Sequence, residues 1–214
     1  FSRPDSKIFG ESVHAVRQKL GRQLAIEQPA NADIVISVPD SGNSAALGFS
    51  QASGLPLEIG IIRNHYVGRT FIQPNQGIRD FKVRVKFNLV KDVLNGKRVV
   101  VVDDSIVRGT TSKMRVKSLR RAGAKEVHLR ISCPPHTNPC AYGIDFPTKA
   151  ELIANRYSHD ELRKYLDCDS IGYLSLEGML KCVSFPKENY CTACWSGKYP
   201  VPFENFNKYH AEKC

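Results

Sequence analysis

The sequence predicts an α/β fold built on a mostly parallel sheet with helices on both faces. Short, continuously apolar segments such as DIVISV and KRVVVV alternate along the chain with segments whose apolar residues recur at helical spacing. Strands that are apolar throughout are typical of parallel sheets covered on both faces. Beyond about residue 140 the alternation ends. We therefore expect a main domain over 1–145 and a small helical and irregular segment over 146–214, packed on it.

The elements of the main domain can be predicted in chain order. Apolar residues recur at helical spacing between Glu11 and Glu27, which predicts the first helix. A glycine, Gly123, follows the last helical pattern where a helix commonly ends. The further predictions are a strand over 33–38, a helix over 43–53 with Ala45, Ala46 and Phe49 turned inward, strands over 57–62 and 97–102, a helix over 110–122 and a strand over 126–132.

The C-terminal segment has two helix-start signals. Thr148 with Glu151, and Ser158 with Glu161, can each form a capping box, so two short helices are predicted to follow. A strand over 170–175 and a helix over 176–183 are expected next. The tail over 187–214 is aromatic and proline-rich, and we predict that it is irregular.

Composition limits the partners of the protein. The 214 residues carry a net charge of +10, which fits a nucleic acid or a small, highly phosphorylated substrate. Cations are concentrated over 63–86, either as a solvated basic face or as a loop that closes over an anion. No apolar run approaches the roughly 20 residues of a membrane span, so no membrane partner is expected.

The first residues contain neither a signal peptide nor an initiator Met, and we expect a fragment or a processed product.

The run VVVVDDSIVRGTTS, residues 99–112, ends a predicted buried strand in two acids. Asp103 and Asp104 repel each other, and a ribose diol or Mg²⁺ would offset that repulsion. Hydroxyl and glycine residues follow and open a helix, which makes an anion cradle. A pair of acids that binds a diol, next to a loop that binds a phosphate, is the combination that a ribose 5-phosphate needs. A second turn, PDSGNS, follows the strand over 33–38, and ligands of such sheets bind at these strand ends.

These motifs resemble a known family. VVVVDDSIVRGTTS is similar to the phosphoribosyl-pyrophosphate (PRPP) motif of type I phosphoribosyltransferases, and RNHYVGRTFIQP and FSRPDS narrow the resemblance to the glutamine PRPP amidotransferases. The resemblance implies the type I phosphoribosyltransferase fold. It also implies that Asp103 and Asp104 bind the ribose hydroxyls and Mg²⁺, and that Asp40 and Ser41 lie in the pyrophosphate loop, with Ser41 assisting the metal. The implied 5-phosphate residues are Ser105, Arg108, Gly109, Thr110, Thr111 and Ser112.

The resemblance also implies a reaction. Ammonia displaces pyrophosphate from PRPP to give 5-phosphoribosylamine, the first step of de novo purine synthesis. A flexible loop over 63–88 would fold over PRPP, with Arg63, Tyr66, Arg69, Thr70, Arg79, Arg84 and Lys86 as participants. In the family an N-terminal glutaminase domain, missing from this chain, supplies ammonia from glutamine, and purine nucleotides inhibit. We further expect a homo-oligomer and a cytoplasmic or organellar location.

The seven cysteines suggest metal ligation or buried thiols rather than a disulfide scaffold. Cys191 and Cys194 form a C-x-x-C pair, which alone is compatible with zinc, iron–sulfur or redox chemistry. In the iron–sulfur branch of the family, Cys140, Cys191 and Cys194 match three ligands of a [4Fe–4S] cluster. The fourth ligand would lie upstream of Phe1, so we expect the cluster in the complete protein. Cys133 is read as a buried thiol or a substitute ligand, and Cys168, Cys182 and Cys214 as inert.

Two alternatives remain from the sequence. A nucleobase phosphoribosyltransferase would need a hood that binds the base. The motif RNHYVGRTFIQP argues against this class of enzyme, because it resembles the amidotransferases. A non-catalytic regulator that senses PRPP would carry a DNA-reading domain, of which the sequence has no sign. No nucleic-acid partner is therefore expected.

Overall fold

The computed structural model describes residues 2–64, 87–144 and 148–201. Within these ranges the strands are β1 (Lys7–Ile8), β2 (Glu11–Ser12), β3 (Ile34–Ser37), β4 (Leu57–Glu58), β5 (Ile61–Arg63), β6 (Phe87–Leu89), β7 (Arg98–Asp103), β8 (Glu126–Ile131) and β9 (Ser170–Tyr173). The helices are α1 (Val13–Glu27), α2 (Asn43–Ser53), α3 (Lys91–Leu94), α4 (Thr110–Arg121), α5 (His159–Leu166), α6 (Leu176–Lys181) and α7 (Ala193–Ser196). Short 3₁₀ helices are formed by Lys149–Glu151, Ile153–Asn155 and Lys187–Asn189.

A parallel five-stranded sheet in the order β4-β3-β7-β8-β9 forms the centre of the protein. Alternate residues of the central strand β7 point to opposite faces. Val99 and Val101 pack with α4 and α5 on one face, whereas Val100 and Val102 pack with α1 and α2 on the other. The predicted α/β architecture, with helices on both faces, is confirmed. β9 completes this sheet, so part of the segment after residue 146 belongs to the same layer.

Helices α1 and α2 approach closely because glycines face the partner backbone. A Cβ atom on Gly21 would lie 1.9 Å from the Ala45 carbonyl oxygen, and one on Gly48 would lie 2.0 Å from the Gln18 carbonyl oxygen. The two helices cover one face of the sheet as a pair, with Phe49 fully buried between them and the strands.

The predicted bounds agree closely with the structure for most elements. α2 spans the predicted residues, and α1, α4, β3, β7 and β8 differ from their predictions by one or two residues at an end. Ala45, Ala46 and Phe49 are buried, as predicted. Gly123 follows α4 with a φ of +98°, which is the left-handed conformation expected after a helix. No described helix is long and apolar enough to span a membrane.

The single strand predicted over 57–62 is wrong. Leu57–Glu58 pairs with β3 in the main sheet, but Ile61–Arg63 leaves that sheet and pairs with Phe87–Leu89. The change occurs at Gly60, where an added Cβ would lie 2.8 Å from Cγ2 of Ile36. An apolar run does not reveal that the chain changes partners within it.

One smaller prediction is confirmed and another needs correction. The capping box of Thr148 and Glu151 forms and starts a short helix, which is a 3₁₀ helix. Leu152 ends that turn in an extended conformation, since the next residue, Ile153, donates its N–H to the Val107 carbonyl at 2.9 Å. The tail is not wholly irregular, because Ala193–Ser196 forms one helical turn.

Candidate functional site

A cleft of about 560 Å³ opens at the carboxyl ends of β3 and β7. The two strands are parallel neighbours, so the turns that follow them lie side by side. Both sequence motifs line the cleft, and every described residue that was predicted to bind PRPP or Mg²⁺ is among the lining residues. These are Asp40, Ser41, Asp103, Asp104, Ser105, Arg108, Gly109, Thr110, Thr111 and Ser112, together with Arg63.

The two acids occupy different environments. The Asp103 side chain is only 8% exposed, and its Oδ2 accepts a 2.6 Å hydrogen bond from Nη1 of Arg115. Its Oδ1 accepts the backbone N–H of Asp104 at 3.0 Å. Burial raises the pKa of Asp103 to about 7, although the Arg115 guanidinium opposes that rise. Asp104 is exposed to the cleft, so its carboxylate is the one available to a ligand.

The loop over 105–109, the hydroxyl loop, ends at the N-terminus of α4. Gly109 precedes the helix with a φ of +76°, and no side chain caps the first turn. The first N–H groups of a helix lack intrahelical partners, and here they adjoin the cleft. Together with the Thr110 and Thr111 hydroxyls they form a site suited to a phosphate.

The hydroxyl loop is braced from behind by the segment that follows residue 148. Ile153 donates its N–H to the Val107 carbonyl at 2.9 Å, and Nε of Arg108 donates to Glu151 at 3.2 Å. Because these contacts come from a distant part of the chain, the loop conformation depends on the C-terminal segment.

The turn after β3 packs against the end of β7. Val38 donates its N–H to the Val102 carbonyl at 2.9 Å, and a Cβ atom on Gly42 would lie 2.5 Å from the same oxygen. The Pro39–Asp40 peptide is cis. Asp40 forms an ion pair with Arg63, whose side chain is 42% exposed at the edge of the cleft. The turn therefore holds a cation in the cleft that Ser41 also lines.

The remaining predicted loop residues lie outside the described residues. They are Tyr66, Arg69, Thr70, Arg79, Arg84 and Lys86. Cys214 also lies outside the described residues.

Arg115 and Phe87 line the cleft but were not predicted. Arg115 lies four residues after Thr111, hence on the same face of α4, and this spacing is the signal that could have identified it. Phe87 begins a three-residue strand, and no motif marks it.

The C-x-x-C pair lies against the segment after β8. The Cys194 carbonyl accepts the N–H groups of Thr137 and Asn138 at 3.1 and 3.0 Å. Burial, together with the nearby Cys140 and Cys191 thiols, raises the pKa of the Cys194 thiol to about 11. The described residues nevertheless contain no group of three His, Cys, Asp or Glu side chains arranged to hold a metal ion. The thiols of Cys140, Cys191 and Cys194 are therefore neighbours, but they are not arranged as the ligands of a metal ion.

Cys133, Cys168 and Cys182 are buried free thiols. Each lies within hydrogen-bond range of a backbone carbonyl, at 3.2 Å for Cys133, 3.7 Å for Cys168 and 3.2 Å for Cys182. Cys133 also faces Nδ1 of His136 at 4.0 Å. Burial raises the pKa of all three thiols, which keeps them protonated at neutral pH.

Comparison with known proteins identifies similar enzymes. A relative from Synechocystis sp. named amidophosphoribosyltransferase is 54% identical over 201 residues, which are 94% of this chain and 41% of that protein. A relative from Vigna aconitifolia named as a chloroplastic amidophosphoribosyltransferase is 54% identical over 97% of this chain and 43% of its own length. No family model matches the sequence.

The fold agrees with these relatives. A solved structure of glutamine PRPP amidotransferase from B. subtilis, complexed with ADP and GMP, superposes with a TM-score of 0.87 at 51% identity. It is matched over 96% of this chain and 46% of that one. The chain is thus homologous to amidophosphoribosyltransferases and shares their type I phosphoribosyltransferase fold, but it spans less than half the length of these relatives.

Proposed function

We propose that this chain is the phosphoribosyl-transferring part of an amidophosphoribosyltransferase, the enzyme that begins purine synthesis. The observation that carries the proposal is the placement of an exposed carboxylate, Asp104, directly beside the hydroxyl loop and helix start of residues 105–112, in one cleft. Identity above 50% to enzymes of that name supports it.

PRPP binds with its 5-phosphate at the start of α4 and its ribose hydroxyls toward the acidic pair, Asp103 and Asp104. The backbone N–H groups and hydroxyls of Thr110 and Thr111 suit the phosphate oxygens. Asp104 accepts the ribose hydroxyls. The pyrophosphate then extends toward Ser41 and Arg63 at the turn after β3.

The donors in the cleft fit Mg²⁺. Mg²⁺ is usually bound by one or two carboxylates together with substrate phosphates, rather than by a cage of protein side chains. Asp104 and the Ser41 hydroxyl would hold it, with Asp103 behind them, and the ion would neutralise charge on the pyrophosphate.

The reaction is a displacement at C1 of the ribose. The lone pair of ammonia forms the new C–N bond, and the C–O bond to pyrophosphate breaks with its electron pair leaving on the pyrophosphate oxygen. The attacking nitrogen then loses a proton to the solvent, which gives 5-phosphoribosylamine and free pyrophosphate. No protein nucleophile is required, and the protein contributes positioning and stabilisation of the leaving group by Arg63. The proposal also includes a loop that covers PRPP. Its participants besides Arg63 are Tyr66, Arg69, Thr70, Arg79, Arg84 and Lys86.

The proposed partners follow from the longer relatives. A glutaminase domain outside this chain supplies ammonia, and purine nucleotides inhibit by placing a phosphate in the same loop. The B. subtilis structure, which contains ADP and GMP, supports that view. We propose a homo-oligomer in the cytoplasm or, as for the chloroplastic relative, in an organelle. We propose 1–145 as the transferring unit and 146–214 as the C-terminal segment packed on it, with β9 of that segment completing the main sheet.

A [4Fe–4S] cluster is proposed only for the complete protein. Cys140, Cys191 and Cys194 are neighbours, and thiolates are the usual ligands of such clusters. Three thiols fit the cluster in part, and a fourth ligand must come from elsewhere. A bound cluster would tie the tail to the segment after β8, where Cys194 already accepts two backbone hydrogen bonds.

The test is release of pyrophosphate from Mg²⁺-PRPP by the full chain, with and without ammonium salt at a pH that supplies free ammonia. Release that depends on ammonium, and that Asp104→Asn abolishes, is the expected result. Asp160→Asn is the matched control, because Asp160 is an exposed acid in the first turn of α5, away from the cleft. Release stimulated by a purine base would favour a nucleobase transferase instead, and PRPP binding without any release would favour a sensor.

A further inference from the structure

Arg115 holds the acidic pair from the interior side of the cleft. Its side chain is 12% exposed, and its Nη1 lies 2.6 Å from Oδ2 of Asp103, which is 8% exposed. The other ion pair of the hydroxyl loop, Arg108 with Glu151, is 52% and 46% exposed. The Arg115 pair is therefore buried, and removing one partner of such a pair leaves an uncompensated charge.

Both carboxylate oxygens of Asp103 have partners within the protein. Oδ2 is held by Arg115, while Oδ1 accepts the backbone N–H of Asp104. Asp103 thus fixes the peptide that carries the exposed carboxylate of Asp104. A shift of Asp103 would move the group that meets the ligand.

The position of Arg115 follows from the helix. Side chains on an α-helix lean toward its N-terminus, so Arg115 points back past Thr111 toward the cleft. The guanidinium carbon lies 5.9 Å from the ring centroid of Phe87, which lines the same cleft. This contact limits the freedom of the long side chain before any ligand binds.

We propose that Arg115 is a positioning residue that acts through Asp103 to hold the Asp104 carboxylate in place for PRPP. The two acids then have separate tasks: Asp103 orders the strand end, and Asp104 meets the ribose hydroxyls and Mg²⁺. This inference rests on the proposed function, because it concerns how the same cleft binds PRPP.

The experiment measures the Kd of Mg²⁺-PRPP by calorimetry, and the kcat and KM of ammonium-dependent pyrophosphate release. Arg115→Met is expected to raise Kd and KM about tenfold or more, with a smaller change in kcat. Arg115→Lys keeps a charged donor for Asp103 but loses the planar group over Phe87, so it is expected to recover only part of the lost binding. Arg120→Met is the matched control, since Arg120 lies on the same helix and pairs with Asp169 at 2.8 Å, outside the cleft. It should change Kd less than about twofold.

A double variant tests whether Arg115 acts through Asp103. Arg115→Met combined with Asp103→Asn should bind no more weakly than Asp103→Asn alone. Additive losses would overturn the inference, as would an unchanged Kd in Arg115→Met when Asp104→Asn has lost binding. If Arg115→Met lacks a cooperative melting transition, Arg115→Gln, which keeps a donor without the charge, takes its place. Failure of the original protein to bind PRPP would overturn the proposed function, and this inference with it.

Discussion

Gly109 and Ile153 leave no space for a side chain between the hydroxyl loop and the segment behind it. A Cβ atom on Gly109 would lie 2.1 Å from Cδ1 of Ile153, and the glycine has a φ of +76°. The backbone conformation favours glycine at this position, and any larger residue would force the buried end of the Ile153 side chain to shift. The start of α4, where the phosphate is proposed to bind, is therefore tied to the C-terminal segment.

Gly109→Ala should destabilise the protein and weaken PRPP binding. The positive φ costs about 1 kcal/mol and the contact with Ile153 about 1–3 kcal/mol more. Gly96→Ala is the matched control, because Gly96 has a φ of +72° with open space around it. Urea unfolding and PRPP titration of both variants test this. Equal losses of stability would show that the contact with Ile153 contributes nothing.

Gly48→Ala should destabilise the protein, against the usual effect of this substitution in a helix. Alanine normally stabilises a helix by about 1 kcal/mol relative to glycine. Here the new Cβ would lie 2.0 Å from the Gln18 carbonyl oxygen, so α1 and α2 would have to separate. The measurement is the free energy of unfolding in urea. A more stable variant would contradict the close packing of the two helices.

The sequence predicted the elements whose pattern is local. The apolar run of β7 and the helix start at Asn43 depend on neighbouring residues, and the structure agrees with both. The strand predicted over 57–62 failed because Gly60 marks a change of sheet that depends on distant residues, Ile36 and Leu94. Local pattern indicates an extended chain but not the strand with which it pairs.

The candidate site shows the same limit. The two motifs follow parallel neighbouring strands, so their proximity could be predicted from the sheet alone. The difference between a buried Asp103 and an exposed Asp104 could not, because it depends on Arg115 from the next helix. A residue without a motif contributes here through tertiary contact, which no single segment of sequence reveals.

The Asp33–Arg98 pair should make stability depend on pH in the acid range. Arg98 donates hydrogen bonds from its side chain and its backbone to Asp33, which lowers the pKa of that carboxyl to about 2. Because the pKa is lowered on folding, the stabilisation is present above about pH 4 and is lost as the pH falls toward 2. Asp33→Asn should therefore differ from the original protein at pH 5 but not near pH 2. Urea midpoints across this range test the sign, and a constant difference would contradict it.

Arg63→Gln should impair the reaction while leaving stability nearly unchanged. Arg63 and Asp40 are 42% and 52% exposed, and exposed ion pairs contribute little to folding. In the proposed reaction the cation stabilises charge that grows on the departing pyrophosphate, so kcat should fall by about a hundredfold. Arg3→Gln is the matched control, since it breaks another exposed pair, with Asp5, away from the cleft. Pyrophosphate release and urea midpoints of both variants decide the matter. If Arg63→Gln keeps the kcat of Arg3→Gln, then Arg63 does not act on the leaving group, and that role falls to other groups of the cleft.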